Sequence, residues 1–252
     1  MSRPEVHFSH DLVVALEGAD GQPGRAWTSS PVANAALGTA LVEGATVRAV
    51  EVDDDNDGRP EMVDVSWTGS VGSFAVRGCA MTAQVRYTYD STVNLDLYGL
   101  ARGRMTGPAG SAAVWDGELV LRQGPPLRAG ERSQRWLLPK PLDLDVGGAS
   151  DVQRAISDYG SRGATVMLAD PTETWVPGST GDFECRMRLR VPVQRYTYKR
   201  ARLDVVLLGW VKVLAVWYVV RWIVDDVVSA TLFRFRSFPT RVTSDLGDGK
   251  AW

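Results

Sequence analysis

Residues 53 to 61 read Asp-Asp-Asp-Asn-Asp-Gly-Arg-Pro-Glu, carboxylates alternating around one glycine. Hard divalent cations are held by several oxygens drawn from one tight loop, with glycine permitting the turn. In this pattern Asp53, Asp55 and Asp57 offer side-chain oxygens, the Arg59 carbonyl adds one, and Glu61 supplies the last. The chemistry that suits such a set is calcium binding. Without a cation, the same residues make a solvated acidic hairpin turn, because Asp-Gly is itself a turn signal.

Other constellations are weaker. The loop departs from the EF-hand pattern, since the final ligand position falls on Asp64 instead of glutamate and no flanking helices are expected. His7 and His10 form an H-x-x-H, but on a strand an odd spacing places them on opposite faces, which disfavours a shared metal. Asp225-Asp226 reads as a solvated helix end, and Arg186, Arg188 and Arg190 as the outer face of a strand. No G-x-S-x-G, phosphate-binding loop or G-x-G-x-x-G is present, so no catalytic residue is assigned and a non-enzymatic role is expected. The nine tryptophans are scattered, as core and interface anchors are, and form no carbohydrate platform. Cys79 and Cys185 are too few to hold a metal cluster; whether they pair is left open, a disulfide requiring an extracytosolic domain.

The elements that must position these residues read as mainly β. Ala83, Val85, Tyr87 and Tyr89 alternate with Gln84, Arg86 and Thr88; Val93, Leu95 and Leu97 alternate with Asn94 and Asp96; Val63, Val65 and Trp67 alternate with Asp64 and Ser66. Each is the period-two pattern of a half-buried strand. Cys185, Met187, Leu189, Val191 and Val193 are expected inward, with Pro192 marking an edge strand or a bulge. Clusters at 21–24, 107–110 and 124–126 supply turns. Short strands bounded by turns predict an antiparallel, sandwich-like β-domain over 1–200. One short helix interrupts it. Ser150 and Gln153 form a capping box ahead of an apolar face made by Val152, Ala155, Ile156 and Tyr159, and Gly160 or Gly163 ends the helix.

Near the C-terminus, Val205 to Val224 reads VVLLGWVKVLAVWYVVRWIV, with twelve aliphatic side chains and only Lys212 and Arg221 charged. At about 1.5 Å per residue the run matches a hydrocarbon core of about 30 Å. The aliphatics favour insertion by about −5 kcal/mol, against up to about 3 kcal/mol for a central lysine. Both cations lie close enough to a boundary for their stems to reach an interface, and Trp210 and Trp222 sit where amphipathic rings anchor. The sequence therefore predicts a transmembrane helix over 203–226 and a tail over 227–252. A lipid bilayer is the expected surroundings of the run.

The whole chain has 252 residues and a formal net charge of −2, which gives no footprint for nucleic acid. There is no N-x-S/T sequon. The N-terminal stretch MSRPEVHFSHDLVVALEG lacks the basic and then continuously apolar regions of a signal peptide.

The order of segments carries a resemblance. An opening strand PEVHFSHDLVVAL leads to AWTSSP and the acidic DDDNDGRPEMVDV hairpin; later come DVQRAISDYGSRGATVMLADPTETWVPG, RMRLRVPVQRYTY and the apolar run. This set, from about Pro4 to Thr243, is similar to the transmembrane protein 231 family of the ciliary transition zone. The resemblance implies two spans with a β-rich domain between them outside the cytosol, and both termini in the cytosol. It implies a non-catalytic, scaffold-like role in the Meckel-syndrome (B9) complex with B9-domain proteins, tectonic proteins and other transition-zone membrane proteins. It also implies a barrier that gates entry of membrane proteins to the cilium. The sequence begins where the family's β-domain begins, so the first span is expected either to lie upstream of Met1 or to have been lost from this chain. Orientation follows from the resemblance alone, because Arg195, Lys199, Arg200 and Arg202 before the run balance Arg221, Arg234, Arg236 and Arg241. The alternatives are a calcium-dependent cell-surface binding module and a membrane-bound enzyme with an unrecognised site.

Overall fold

A computed structural model describes residues 3–19, 22–90, 94–128, 140–142, 149–178, 181–199 and 202–234. The chain divides into two compact units, Met1–Lys199 and Arg200–Trp252.

Among the described residues, the first unit is built on nine strands of one sheet: β1 (Glu5–Glu17), β2 (Arg25–Thr28), β3 (Glu43–Val52), β4 (Met62–Ser70), β5 (Gly78–Asp90), β6 (Asn94–Thr106), β7 (Gly110–Gln123), β9 (Ala164–Pro177) and β10 (Asp182–Arg190). Two short strands, β8 (Leu127–Arg128) and β11 (Tyr198–Lys199), pair separately. The order across the large sheet is β2-β1-β5-β6-β9-β7-β10-β4-β3. Its two edges return toward each other. Ala26 on β2 bridges Leu41, and the Val42 N–H donates to the Ala26 carbonyl at 3.1 Å. Further along, the Phe8 N–H on β1 donates to the Glu51 carboxylate of β3 at 3.0 Å. The mainly β class is as expected, but one nearly closed sheet replaces the sandwich. Alternation dictates which face of a strand is buried; it does not distinguish a second sheet from the far wall of the same one.

The sheet is also mixed. β10 runs parallel to β7, with Cys185 opposite Ala113, and β6 meets β9 in parallel at Leu100 and Met167. β9, arriving late in the chain, separates β6 from β7, although only the 107–110 turn joins those two in sequence.

Inward side chains follow the period-two readings. Val63, Val65, Trp67, Ala83, Val85, Tyr87, Leu95, Leu97, Cys185, Met187 and Leu189 all lie in the core. Val93 lies outside the described residues. Val193 is a correction: it is 52% exposed, because β10 stops at Arg190 and the chain leaves the alternation there. Pro192 likewise follows the strand, and β10 is an interior strand between β7 and β4 instead of an edge. Glycines leave room for two of the buried tryptophan rings. A Cβ on Gly103 would sit 2.5 Å from Trp115, and one on Gly69 would sit 2.6 Å from Trp67.

Among the described residues, two α-helices accompany the sheet. α1 (Pro31–Leu37) was not expected, yet its signals are in the sequence. Ser30 caps the Ala33 N–H at 3.4 Å, Pro31 opens the helix, and Gly38 ends it with φ of 54°. α2 (Ala149–Gly160) is the anticipated helix. Tyr159 packs with Leu100 and Leu142, joined by Ala155 and Ile156. The side chains of Ser150 and Val152 lie outside the described residues.

The second unit opens with α3 (Arg202–Trp222), passes through π-helical turns at Ile223–Val228 and ends in α4 (Ser229–Arg234). Helix therefore covers the expected 203–226 segment. Among the described residues, however, no helix is long and apolar enough to cross a membrane. The side chains of Val205 to Leu208, the densest aliphatic part of the run, lie outside the described residues, as does the tail beyond Arg234.

Candidate functional site

The acidic loop joins β3 to β4, and its own backbone shapes it. Asp53 accepts from the Asp57 N–H at 3.2 Å and from the Gly58 N–H at 2.9 Å. Asp57 accepts from the Arg59 N–H at 2.8 Å. Asn56 has φ of 55° and Gly58 has φ of 79°. Both therefore take the left-handed conformation that lets the chain reverse. Asp53, Asp55 and Glu61 each place a carboxylate oxygen within 4.8 Å of the others. Asp57 does not join that trio; its carboxylate serves the turn.

Arg3 enters this cluster from the lead-in to β1. Its guanidinium pairs with Glu61 and reaches Asp55 at 3.4 Å. The chain thus brings its own cation to the carboxylates, from more than fifty residues away in sequence. Glu61 also accepts from the Asp54 N–H at 2.7 Å, and the Arg59 guanidinium donates to the Arg3 carbonyl at 3.3 Å. Sequence reading missed Arg3 because only the return of β1 toward the β3–β4 hairpin makes it a neighbour.

The same return places His7 between two carboxylates. Its Nδ1 lies 2.9 Å from Glu51 and its Nε2 lies 2.9 Å from Glu5. Burial pulls the imidazole pKa down, but the hydrogen bonds and charges of Glu51 and Glu5 outweigh it and hold the value above the ordinary 6.5. With both ring nitrogens engaged, His7 is placed as a bridge across the seam. His10 sits at a bulge in β1, with φ of 66°, its ring edge-on to Phe8 at 5.3 Å.

The arginine stripe is paired with two carboxylates. Arg186 grips Asp64 through Nε at 3.0 and 3.1 Å, Arg188 lies 3.8 Å from the same carboxylate, and Arg190 binds Asp116 at 2.7 Å. Asp225 pairs with Arg221 one helical turn away at 3.1 Å, which fits a solvated or interfacial helix end.

The remaining feature that faces outward is α3. Trp210, Val216 and Tyr218 are 62%, 64% and 68% exposed, and the apolar residues around the helix share that exposure. A soluble helix buries an apolar stripe and shows a polar face; the described side chains of α3 form no polar face.

Three comparisons bear on these features. The model of the family described as Transmembrane protein 231 matches residues 1–242. The human protein named Transmembrane protein 231 is 25% identical over 235 residues, covering 89% of this chain and 73% of that protein. The proteins of the same name from Bos taurus and Mus musculus are 25% and 23% identical, covering 87% and 89% of this chain and 71% and 73% of their own lengths. No solved structure matches the chain.

Proposed function

Because the chain belongs to the transmembrane protein 231 family, a family of membrane proteins, we propose that it is a non-catalytic component of the ciliary transition zone that helps gate entry of membrane proteins to the cilium. The observation that carries this reading is the family match over nearly the whole chain. In this reading α3 and the turns after it insert in the bilayer. The helix runs the length of Arg202–Trp222. At a rise of about 1.5 Å per residue it approaches the thickness of a hydrocarbon core. The exposed apolar side chains from Trp210 onward support that placement. The β-domain lies outside the cytosol and the C-terminus inside. B9-domain proteins, tectonic proteins and other transition-zone membrane proteins are the partners, bound by surfaces and not by a reaction centre. The test is complementation in ciliated cells lacking their own family member. Restored exclusion of plasma-membrane proteins from the cilium is expected; expression without any restoration would contradict the reading.

A second reading rests on the convergence of Asp53, Asp55 and Glu61: a calcium-dependent binding module. Here calcium competes with Arg3. Titration calorimetry of the purified chain and of Arg3→Gln separates the cases. If the loop takes calcium, the variant binds it more tightly. No heat from either protein at millimolar calcium would end this reading.

A further inference from the structure

Cys79 and Cys185 are the chain's two cysteines, and they are 106 residues apart. Cys79 lies on β5 and Cys185 on β10, strands separated by three others in the sheet order. Neither meets the other through strand pairing. Cys79 stands opposite Leu16 and Met105 in its two ladders, and Cys185 opposite Trp67 and Ala113. The sulfurs instead meet across the interior, 2.7 Å apart and 1% and 0% exposed. That separation is well inside the contact distance of two non-bonded sulfurs. A disulfide spans about 2.05 Å, so each sulfur need move only about 0.3 Å to bond. Among the described residues no third metal-ligating side chain joins them, and a structural zinc site needs four ligands.

We propose that Cys79 and Cys185 are joined by a disulfide that ties opposite walls of the β-domain. The reaction is exchange with the disulfide of a dithiol oxidoreductase, such as an oxidising secretory compartment supplies. One cysteine thiolate attacks a donor sulfur to give a mixed disulfide. The second cysteine, as thiolate, displaces the donor, which leaves as a dithiol. Two electrons and two protons pass from the cysteine pair to the donor. Because both sulfurs end fully buried, exchange occurs while the strands are still assembling. With two cysteines in the chain the connectivity is unique. The bond closes a long loop, so it restricts the unfolded chain strongly. Burial, followed by the neighbouring Cys79 sulfur, raises the Cys185 pKa well above its ordinary value, which makes the Cys185 thiol a poor nucleophile once the domain has folded.

This inference rests on the β-domain lying outside the cytosol, as in the function proposed above, and the two fail separately. The full chain is expressed in ciliated cells, lysed in denaturant with a maleimide-polyethylene glycol reagent, and resolved with and without prior reduction. The expected result is no adduct before reduction and two afterwards, with a linked peptide pair two mass units lighter than the two thiol peptides. Two adducts before reduction would overturn the disulfide, whatever the protein's location. A mislocalised chain with the bond intact would contradict the ciliary role and leave the disulfide standing. For protein purified in detergent, reductant lowers the melting temperature by roughly 5–15 °C. A Cys79→Ala/Cys185→Ala chain shows no such drop; an equal drop in that variant would also overturn the proposal.

Discussion

Glu51 receives the Phe8 N–H with one carboxylate oxygen and faces the His7 ring with the other, so a single side chain spans the seam of the sheet. His7 has a raised folded-state pKa. Its contribution to stability is therefore fully present below the unfolded-state value and is lost as pH rises through the folded-state value. The difference in urea midpoint between wild type and His7→Gln should shrink as pH rises above the ordinary imidazole value of 6.5; a difference independent of pH would contradict a charged bridge. Gly103 makes a different demand. Its missing side chain leaves room for the Trp115 ring. Gly103→Ala should therefore cost about 1–3 kcal/mol by overpacking, read from chemical denaturation. At this scale the sequence was partly legible. The acidic loop stands out as a string of carboxylates. Arg3 and Glu51 carry no local signal, because their roles depend on contacts made across more than forty residues.

Strands were easier to foresee than their order. Period two marks Val63–Trp67 and Ala83–Tyr89 as half-buried, and both lie in the core. Nothing in a strand's own pattern says that β9 slots between β6 and β7, or that β10 runs parallel to β7. α1 shows the opposite case: Ser30-Pro31 and Gly38 announce a helix too short for periodicity to reveal. α2 is held to β9 through one phenol. The Tyr159 hydroxyl donates to the Val166 carbonyl at 2.9 Å and accepts the Val166 N–H at 2.6 Å, and burial pushes its pKa up to about 12. Tyr159→Phe leaves both backbone groups without that partner and should cost about 1–3 kcal/mol in urea unfolding. An unchanged midpoint would mean that α2 docks by packing alone. On α3, a carboxylate in mid-run opposes insertion by about 3 kcal/mol. Val216→Asp should move the chain into the carbonate-extractable fraction, whereas Lys212→Leu should leave it in the membrane.

For the molecule as a whole, a nearly closed β-domain and a helix with apolar residues on every side follow each other in one chain of a membrane protein family. The mainly β class and the family were both legible in the sequence, the first from alternation and the second from the order of segments. Closure of the sheet was not, since it is decided by pairings between distant strands. Localisation gives the most direct test of the central claim. The full chain carrying a small tag, expressed at endogenous level in ciliated cells, is imaged against markers of the ciliary base and the plasma membrane. The account predicts a focus at the transition zone, between basal body and axoneme. Even distribution over the plasma membrane, with no enrichment at that focus, would contradict it.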